Sequence, residues 1–167
     1  MLAYLRDPKI ALSLRADPHR IVVAGHSMGG GITVQVAAKD RALIGAVLIS
    51  AWDMSSDASE THDKLVADMA DNMETLAGVT AEGMANDLAA HAADFSFAAA
   101  APKLTDTPLL VLTSDDGGTE RADELVRAIR AKGGHRVTEK HVATDHGWSD
   151  RRIELEVDVV RWLGQLH

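Results

Sequence analysis

An apolar run stops abruptly in the segment RIVVAGHSMGGGITVQVAAK, residues 20–39. Four apolar residues are followed at once by Gly25-His26-Ser27-Met28-Gly29, and a stretch with helical periodicity begins directly afterwards. A buried strand that turns into a helix within so few residues favours glycine, because bulky side chains at the corner would collide. The hydroxyl of Ser27 then projects clear of the backbone at the carboxyl end of the strand. The segment therefore predicts a serine nucleophile on a strand–turn–helix corner.

The same corner supplies a hydrogen-bond donor. The backbone N–H of Met28 lies at the positive end of the following helix, where it can stabilise an oxyanion on a carbonyl that Ser27 attacks. A glycine-rich turn that merely begins a helix is the alternative for the whole segment. A phosphate-binding loop is disfavoured, because no Lys-Ser or Lys-Thr pair follows the glycines.

Strands and helices alternate along the chain. Strands are predicted at 20–24, 44–51, 107–114 and, as a more polar edge strand, 136–143. Helices are predicted around Pro8, after Ser27, at about 119–132 with Thr119 as its cap, and at the carboxyl end, where the inward-facing residues would be Ile153, Val157, Val160 and Leu163. This alternation indicates an α/β fold with about four mainly parallel strands and helices on both faces.

The segment at about 52–101 is too polar, too rich in alanine and too long for a simple crossover. Apolar residues recur at helical spacing in two groups: Leu65, Met69, Met73 and Leu76, then Met84, Leu88 and Ala92. We expect two or three short helices that form a cap over one end of the sheet. Apolar side chains are either core of the cap or the lining of an acyl pocket; the candidates are Trp52, Met54, Met69, Met84 and Trp148, with Met73, Phe95 and Phe97.

A serine hydroxyl needs a base, and the base needs an orienting carboxylate. Of the 8 histidines, His146 alone lies in a loop between the last predicted strand and the last helix, where an open α/β sheet keeps its chemistry. Asp115 and Asp116 follow the third strand at the same end of the sheet, although a hydrated Asp-Gly turn would also explain them. Asp53 and Asp145 are weaker candidates for the acid.

Composition limits the class of protein and of partner. A chain of 167 residues has room for one domain, 1–167, with a single core. Its net charge of -8 argues against nucleic acid or an anionic membrane as a partner. The absence of cysteine excludes a disulfide framework and a thiolate nucleophile. No run approaches the ~18 apolar residues of a membrane span, and no secretory signal is visible, so a cytoplasmic protein is the default expectation.

Ser27, Asp115 or Asp116, and His146 stand in the order Ser…Asp…His, and the residues resemble the α/β-hydrolase superfamily, specifically its esterase and prolyl-oligopeptidase-like serine hydrolases. AGHSMGG is similar to the nucleophile elbow of that family, PLLVLTSDDG to its acid-bearing strand end and TDHGWSDRR to its histidine loop. The family's Gly-x-x-Asp pattern lines up with 113–116 and favours Asp116. Thr113, where the pattern has glycine, leaves Asp115 open.

The resemblance implies a carboxylesterase for small or short-acyl esters, with Ser27 as nucleophile, His146 as base and Asp116 as acid, and without metal or cofactor. A peptidase or thioesterase of the same fold, and a catalytically weak remnant that acts as an interaction module, are the alternatives. The chain departs from the family in having only 26 residues before Ser27, so that several strands and the loop that donates the second oxyanion N–H are missing. Loss of one such donor costs about 3–4 kcal/mol of transition-state stabilisation in known serine hydrolases.

The missing strands also leave the first strand exposed. It can pair with the second strand on one side, but its other edge has no partner in the sequence. An unpaired, uncharged and β-branched edge promotes association. We expect a homodimer or a higher homo-oligomer, most simply with two-fold symmetry, in which a second copy covers this edge. In a stable monomer, the helix of residues 2–14 would have to cover it instead.

Overall fold

A four-stranded parallel sheet forms the centre of the computed structural model, which describes residues 2–73 and 76–166. Its strands are β1 (Val22–His26), β2 (Gly45–Ile49), β3 (Leu109–Thr113) and β4 (Val137–His141). They lie in the order β1-β2-β3-β4, and each neighbouring pair is parallel. The predicted α/β class with four parallel strands is confirmed, and all four carboxyl ends meet at one edge of the sheet.

Helices flank the sheet and fill the connection between β2 and β3. Those outside this connection are α1 (Leu2–Leu5), α2 (Pro8–Leu14), α3 (Met28–Lys39), α7 (Thr119–Ala131) and α8 (Arg152–Leu163). The β2–β3 connection contains a 3-10 turn (Met54–Ser59), α4 (His62–Asn72), α5 (Ala81–Phe95), α6 (Phe97–Ala100) and a second 3-10 turn (Ala101–Lys103). The short helices predicted for this segment are therefore present.

Both faces of the sheet are buried, which explains why the central strands are apolar throughout. Alternate residues of β3 belong to different cores: Leu109 and Val111 pack with α3 and α7, whereas Leu110 and Leu112 pack with two tryptophans on the opposite face. A third apolar cluster lies inside the β2–β3 connection and contains Met54, Leu65, Met69, Ala85 and Leu88. Within the described residues, no helix is long and apolar enough to cross a bilayer.

The prediction for the inward face of α8 is wrong. Ile153 and Val160 are 79% and 67% exposed, and Val157 and Leu163 also face solvent. A second apolar stripe of the same helix, formed by Leu155, Val159 and Trp162, packs on the sheet instead. Burial favours this stripe because it carries the large indole ring, and α8 is left with an uncovered apolar face.

The cap predicted for α7 is also wrong. Gly118 occupies the N-cap position and makes no side-chain hydrogen bond. The hydroxyl of Thr119 donates instead to the carbonyl oxygen of Ser114, at 3.0 Å. This bond fixes the start of α7 against the end of β3, and thereby fixes the loop that carries Asp115 and Asp116.

Candidate active site

Ser27 occupies a strained corner between β1 and α3. Its backbone has φ 56° and ψ −122°, in a region that residues other than glycine rarely adopt. The corner is held by hydrogen bonds on both sides: the Ser27 N–H donates to the Ile49 carbonyl at 3.0 Å, and the Ser27 carbonyl accepts from the N–H of Trp52 at 3.0 Å. Such strain costs about 1–3 kcal/mol and is typical of functional sites, where the surrounding structure enforces it.

The two glycines that flank Ser27, at positions 25 and 29, differ in how tightly their surroundings pack. A side chain at Gly25 would overlap the carbonyl of Gly29, as predicted. At Gly29, by contrast, a Cβ would meet no described atom within 4 Å, so the corner does not require a glycine there. The close approach comes one residue later, because a Cβ on Gly30 would lie 2.6 Å from the Cβ of Ala51. Tight packing of α3 against the end of β2 explains the longer run of glycines.

His146 and Asp116 form a hydrogen-bonded pair. Nδ1 of His146 lies 2.7 Å from Oδ2 of Asp116, a carboxylate that is only 10% exposed. Burial by itself raises the pKa of Asp116, but hydrogen bonds from His146, the Gly118 N–H and the Ser114 hydroxyl outweigh it, so the pKa is lowered. The carboxylate is therefore ionised at neutral pH and fixes the orientation of the imidazole ring.

The other candidate carboxylates point elsewhere. Asp115 is 62% exposed, and its Oδ1 lies 3.0 Å from Nε2 of His141 rather than near His146. Asp53 accepts hydrogen bonds from the backbone and side chain of Ser55, and Asp145 accepts from the N–H of Ser149. Of the four carboxylates that the sequence offered, Asp116 is the one in contact with the imidazole of His146.

His26 contacts His146, which the sequence does not predict. Its Nε2 lies 2.7 Å from the carbonyl oxygen of His146, and the two imidazole rings are 4.6 Å apart between centroids. His26 ends β1, so this contact ties the histidine loop to the strand that leads into Ser27. Sequence carries no signal for it, because the contact depends on a loop that is 120 residues away.

Ser27, Asp116 and His146 line one cavity of about 530 Å³ at the carboxyl ends of the strands. Met28 follows Ser27 and opens α3, so its N–H has no acceptor within the helix. The outer wall is acidic: besides Asp116, the lining carboxylates are Asp53, Asp57, Glu60, Asp68 and Asp71, and Arg121 is the cation among the lining residues. Over the described ranges, no group of three or more potential ligands is arranged to hold a metal ion.

A smaller, apolar pocket of about 150 Å³ adjoins this cavity, and Trp52 lines both. The predicted residues Met54, Met69 and Met84 line it together with Phe95, and the sequence did not indicate the other lining residues, which are Met28, Ile32, Asp87 and Leu88. Three other candidates do not line this pocket: Met73, Trp148 and Phe97. Trp148 is buried in the core on the α8 face of the sheet, and Phe97 packs in the core formed with α3 and α7.

Comparison with known proteins identifies the fold. No curated protein matches the sequence. An alpha/beta hydrolase from Vibrio vulnificus superposes with a TM-score of 0.57 at 25% identity, over 96% of this chain and 52% of that one. Carboxyl esterase 2 from the fungus Tuber melanosporum superposes with a TM-score of 0.64 at 16% identity, over 99% of this chain and 59% of that one. The acylaminoacyl peptidase of Pyrococcus horikoshii superposes with a TM-score of 0.66 at 16% identity, over 96% of this chain and 26% of that one.

This chain thus spans between about a quarter and three-fifths of those three proteins. A family model described as the alpha/beta hydrolase fold matches residues 1–150, which include the Ser27 corner, the Asp116 loop and His146. The chain therefore belongs to the alpha/beta-hydrolase fold family.

Proposed function

We propose that this protein is a serine carboxylesterase that cleaves small or short-acyl esters through an acyl-enzyme on Ser27. The observation that carries the proposal is the shared cavity: a strained corner serine lines the same space as an imidazole that is hydrogen-bonded to a largely buried carboxylate. These are the nucleophile, base and acid of acyl transfer, in the chain order Ser…Asp…His of this family.

In the proposed mechanism, the Ser27 hydroxyl attacks the ester carbonyl while Nε2 of His146 takes its proton. The Met28 N–H stabilises the oxyanion of the tetrahedral intermediate. The imidazolium then returns the proton to the leaving alcohol, and Asp116 stabilises its charge through Nδ1. Water, activated by the same imidazole, hydrolyses the acyl-enzyme and restores the serine.

The direct test is hydrolysis of p-nitrophenyl esters of increasing acyl length by the wild-type protein and by Ser27→Ala. Neutral esters are the suitable probes, because the acidic cavity wall repels anionic ones. Hydrolysis that requires Ser27 supports the proposal, whereas a folded wild-type protein with no activity on any ester would contradict it.

We expect the apolar pocket to set acyl length. Each methylene that enters the pocket contributes about 0.8 kcal/mol of binding free energy. A volume of about 150 Å³ has room for only a short acyl chain. Met84→Ala should enlarge it and shift the preferred acyl chain by one or two carbons, which ratios of kcat/KM across the ester series would measure. Met73→Ala is the matched control, since Met73 is also partly buried but does not line the pocket. An unchanged chain-length profile in Met84→Ala would assign these methionines to the core of the cap alone.

Peptidase or thioesterase activity is the second candidate. The same three groups can cleave an amide or a thioester, because their chemistry does not depend on the leaving group. Parallel assays with amide and thioester analogues of the best ester would rank the three by kcat/KM. A protein that folds, binds these analogues and cleaves none of them would fit the third candidate, an interaction module.

We further propose that the protein is a homodimer in which a second copy covers β1 and the exposed face of α8. Within the described residues, β1 pairs only with β2. Val22 of β1 packs on the same cluster as Leu155 and Val159 of α8, so the open strand and this helix contribute to one core. The edge offers unpaired backbone groups, and the face offers apolar area to bury.

Sedimentation at micromolar concentration tests the dimer. We expect twice the chain mass for the wild-type protein and a monomer for Val160→Asp, because a carboxylate cannot be buried unpaired in an apolar contact. Leu12→Asp is the control, since Leu12 is also an exposed apolar residue but lies on α2. An active wild-type monomer would contradict the proposal.

A further inference from the structure

A closed ring of hydrogen bonds connects the loops that carry Asp116 and His146. The indole Nε1 of Trp148 donates to the hydroxyl of Ser50 at 3.0 Å, and this hydroxyl lies 2.7 Å from that of Ser114. Ser114 donates to Oδ2 of Asp116 at 2.9 Å, and the same oxygen receives Nδ1 of His146. Because His146 and Trp148 are only two residues apart, the chain itself closes the ring.

The direction of every bond in this ring is fixed by chemistry. An indole N–H can only donate, and an ionised carboxylate can only accept. Ser114 has one hydroxyl proton, which goes to Asp116, so the proton between the two serines must come from Ser50. All three donations therefore point toward the carboxylate, and each polarises the next. We call Trp148, Ser50 and Ser114 the indole–serine relay.

The relay is buried and conformationally constrained. Trp148 is 1% exposed and Ser114 is fully buried, while Ser50 is 6% exposed where it lines the cavity. Ser50 and Trp148 have φ values of 43° and 55°, in the left-handed region that favours glycine. Each relay residue follows a different strand: Ser50 comes after β2, Ser114 after β3 and Trp148 after β4. Ser50 and Trp148 are both strained, and they are joined by one hydrogen bond. The fold therefore maintains this contact against the backbone preference of both residues.

We propose that the indole–serine relay is the positioning device of the site: it orients Asp116, and through the shared loop it holds His146 in register with Ser27. The proposal rests on the proposed function for its effect on catalysis. Trp148 acts at a distance, because its indole does not touch Asp116. Without the indole N–H, the Ser50 hydroxyl is less polarised and donates more weakly to Ser114, whose own donation to the carboxylate weakens in turn.

Trp148→Phe and Ser50→Gly test the relay. The first removes the N–H and keeps an aromatic ring; the second removes the hydroxyl and suits the φ of 43°. We expect kcat to fall about three- to tenfold, the effect of one buried hydrogen bond, with little change in KM. Because the bonds act in series, the double variant should lose no more than the stronger single variant.

Trp162→Phe is the matched control. Trp162 is buried in the same apolar cluster as Trp148, but in the part of the chain that the structure describes its indole nitrogen has no protein partner. It should lower the melting temperature about as much as Trp148→Phe does while leaving kcat unchanged. Equal kcat in Trp148→Phe, Ser50→Gly and Trp162→Phe would overturn the relay.

A titration of the Asp116 carboxylate by NMR separates the relay from the proposed function. A weaker Ser114 donation should raise the pKa of Asp116 in both relay variants and leave it unchanged in Trp162→Phe. This result would support the relay even in a protein that hydrolyses no ester. An unchanged Asp116 pKa in both variants would overturn the relay even if Ser27-dependent esterase activity is found.

Discussion

Ser27→Ala should abolish nearly all ester hydrolysis while the protein remains folded. Removal of the nucleophile from a serine triad costs about 10⁶-fold in kcat in a well-studied hydrolase. Alanine keeps the Cβ of serine, so the strain at φ 56° stays the same and stability should change by less than about 1 kcal/mol. Initial rates with a short-acyl p-nitrophenyl ester, together with a thermal melt, measure both effects.

The control for this variant is Ser13→Ala. Ser13 is exposed on α2 and donates to the carbonyl of Ile10, far from the cavity. Its rate should equal that of the wild type. Undiminished hydrolysis by Ser27→Ala would remove Ser27 from the mechanism and leave the strained corner unexplained by catalysis.

Asp116→Asn should lower kcat/KM by about 10³- to 10⁴-fold, as in the best-known triad, where the amide permits the wrong imidazole tautomer. In that tautomer the proton is on Nε2, which then cannot accept the proton of Ser27. Asp115→Asn is the matched control, because it is the same substitution at the adjacent position, on a carboxylate that contacts His141. We expect a change of less than about threefold there. The reverse ranking would make Asp115 the acid.

Asp116→Asn should also change how the free energy of unfolding depends on pH. The pKa of Asp116 is lowered in the folded protein, so its charge stabilises the fold above its ordinary pKa of about 3.9, and this contribution is lost as the pH falls through the lowered value. The free energy of unfolding of the wild type should therefore exceed that of Asp116→Asn most at neutral pH, and the difference should shrink on acidification. Urea unfolding at several pH values measures it.

Much of the fold was predictable because its signals are local. An apolar run such as that at 44–51 is typical of a strand buried on both faces, and the order of strands and helices limits the sheet to few topologies. The face of α8 was not predictable, because that helix carries two apolar stripes and only the tertiary position of Trp162 decides between them. The glycines after Ser27 depend likewise on how closely α3 approaches Ala51.

The candidate site divides in the same way. Ser27, Asp116 and His146 each follow a strand, so their common edge follows from the parallel sheet. The choice of Asp116 over Asp115 requires the turn geometry after β3, which sends adjacent side chains in opposite directions. The contacts made by His26 and Trp148 join residues about 100 positions apart, and their residue types alone carry no information about them. Residue type alone favours Trp148 for the apolar pocket, and this prediction is wrong because Trp148 packs in the core under α8.

The most direct test of the central claim is the reaction of the wild-type protein with a fluorophosphonate, followed by mass spectrometry of the labelled peptide. The reagent phosphonylates a serine hydroxyl that an adjacent imidazole activates, and it requires no knowledge of the substrate. We predict one label per chain, on Ser27, with slow labelling in Asp116→Asn and none in Ser27→Ala. A folded wild-type protein that takes up no label, or takes it up at another residue, would contradict the assignment of Ser27 as an activated nucleophile.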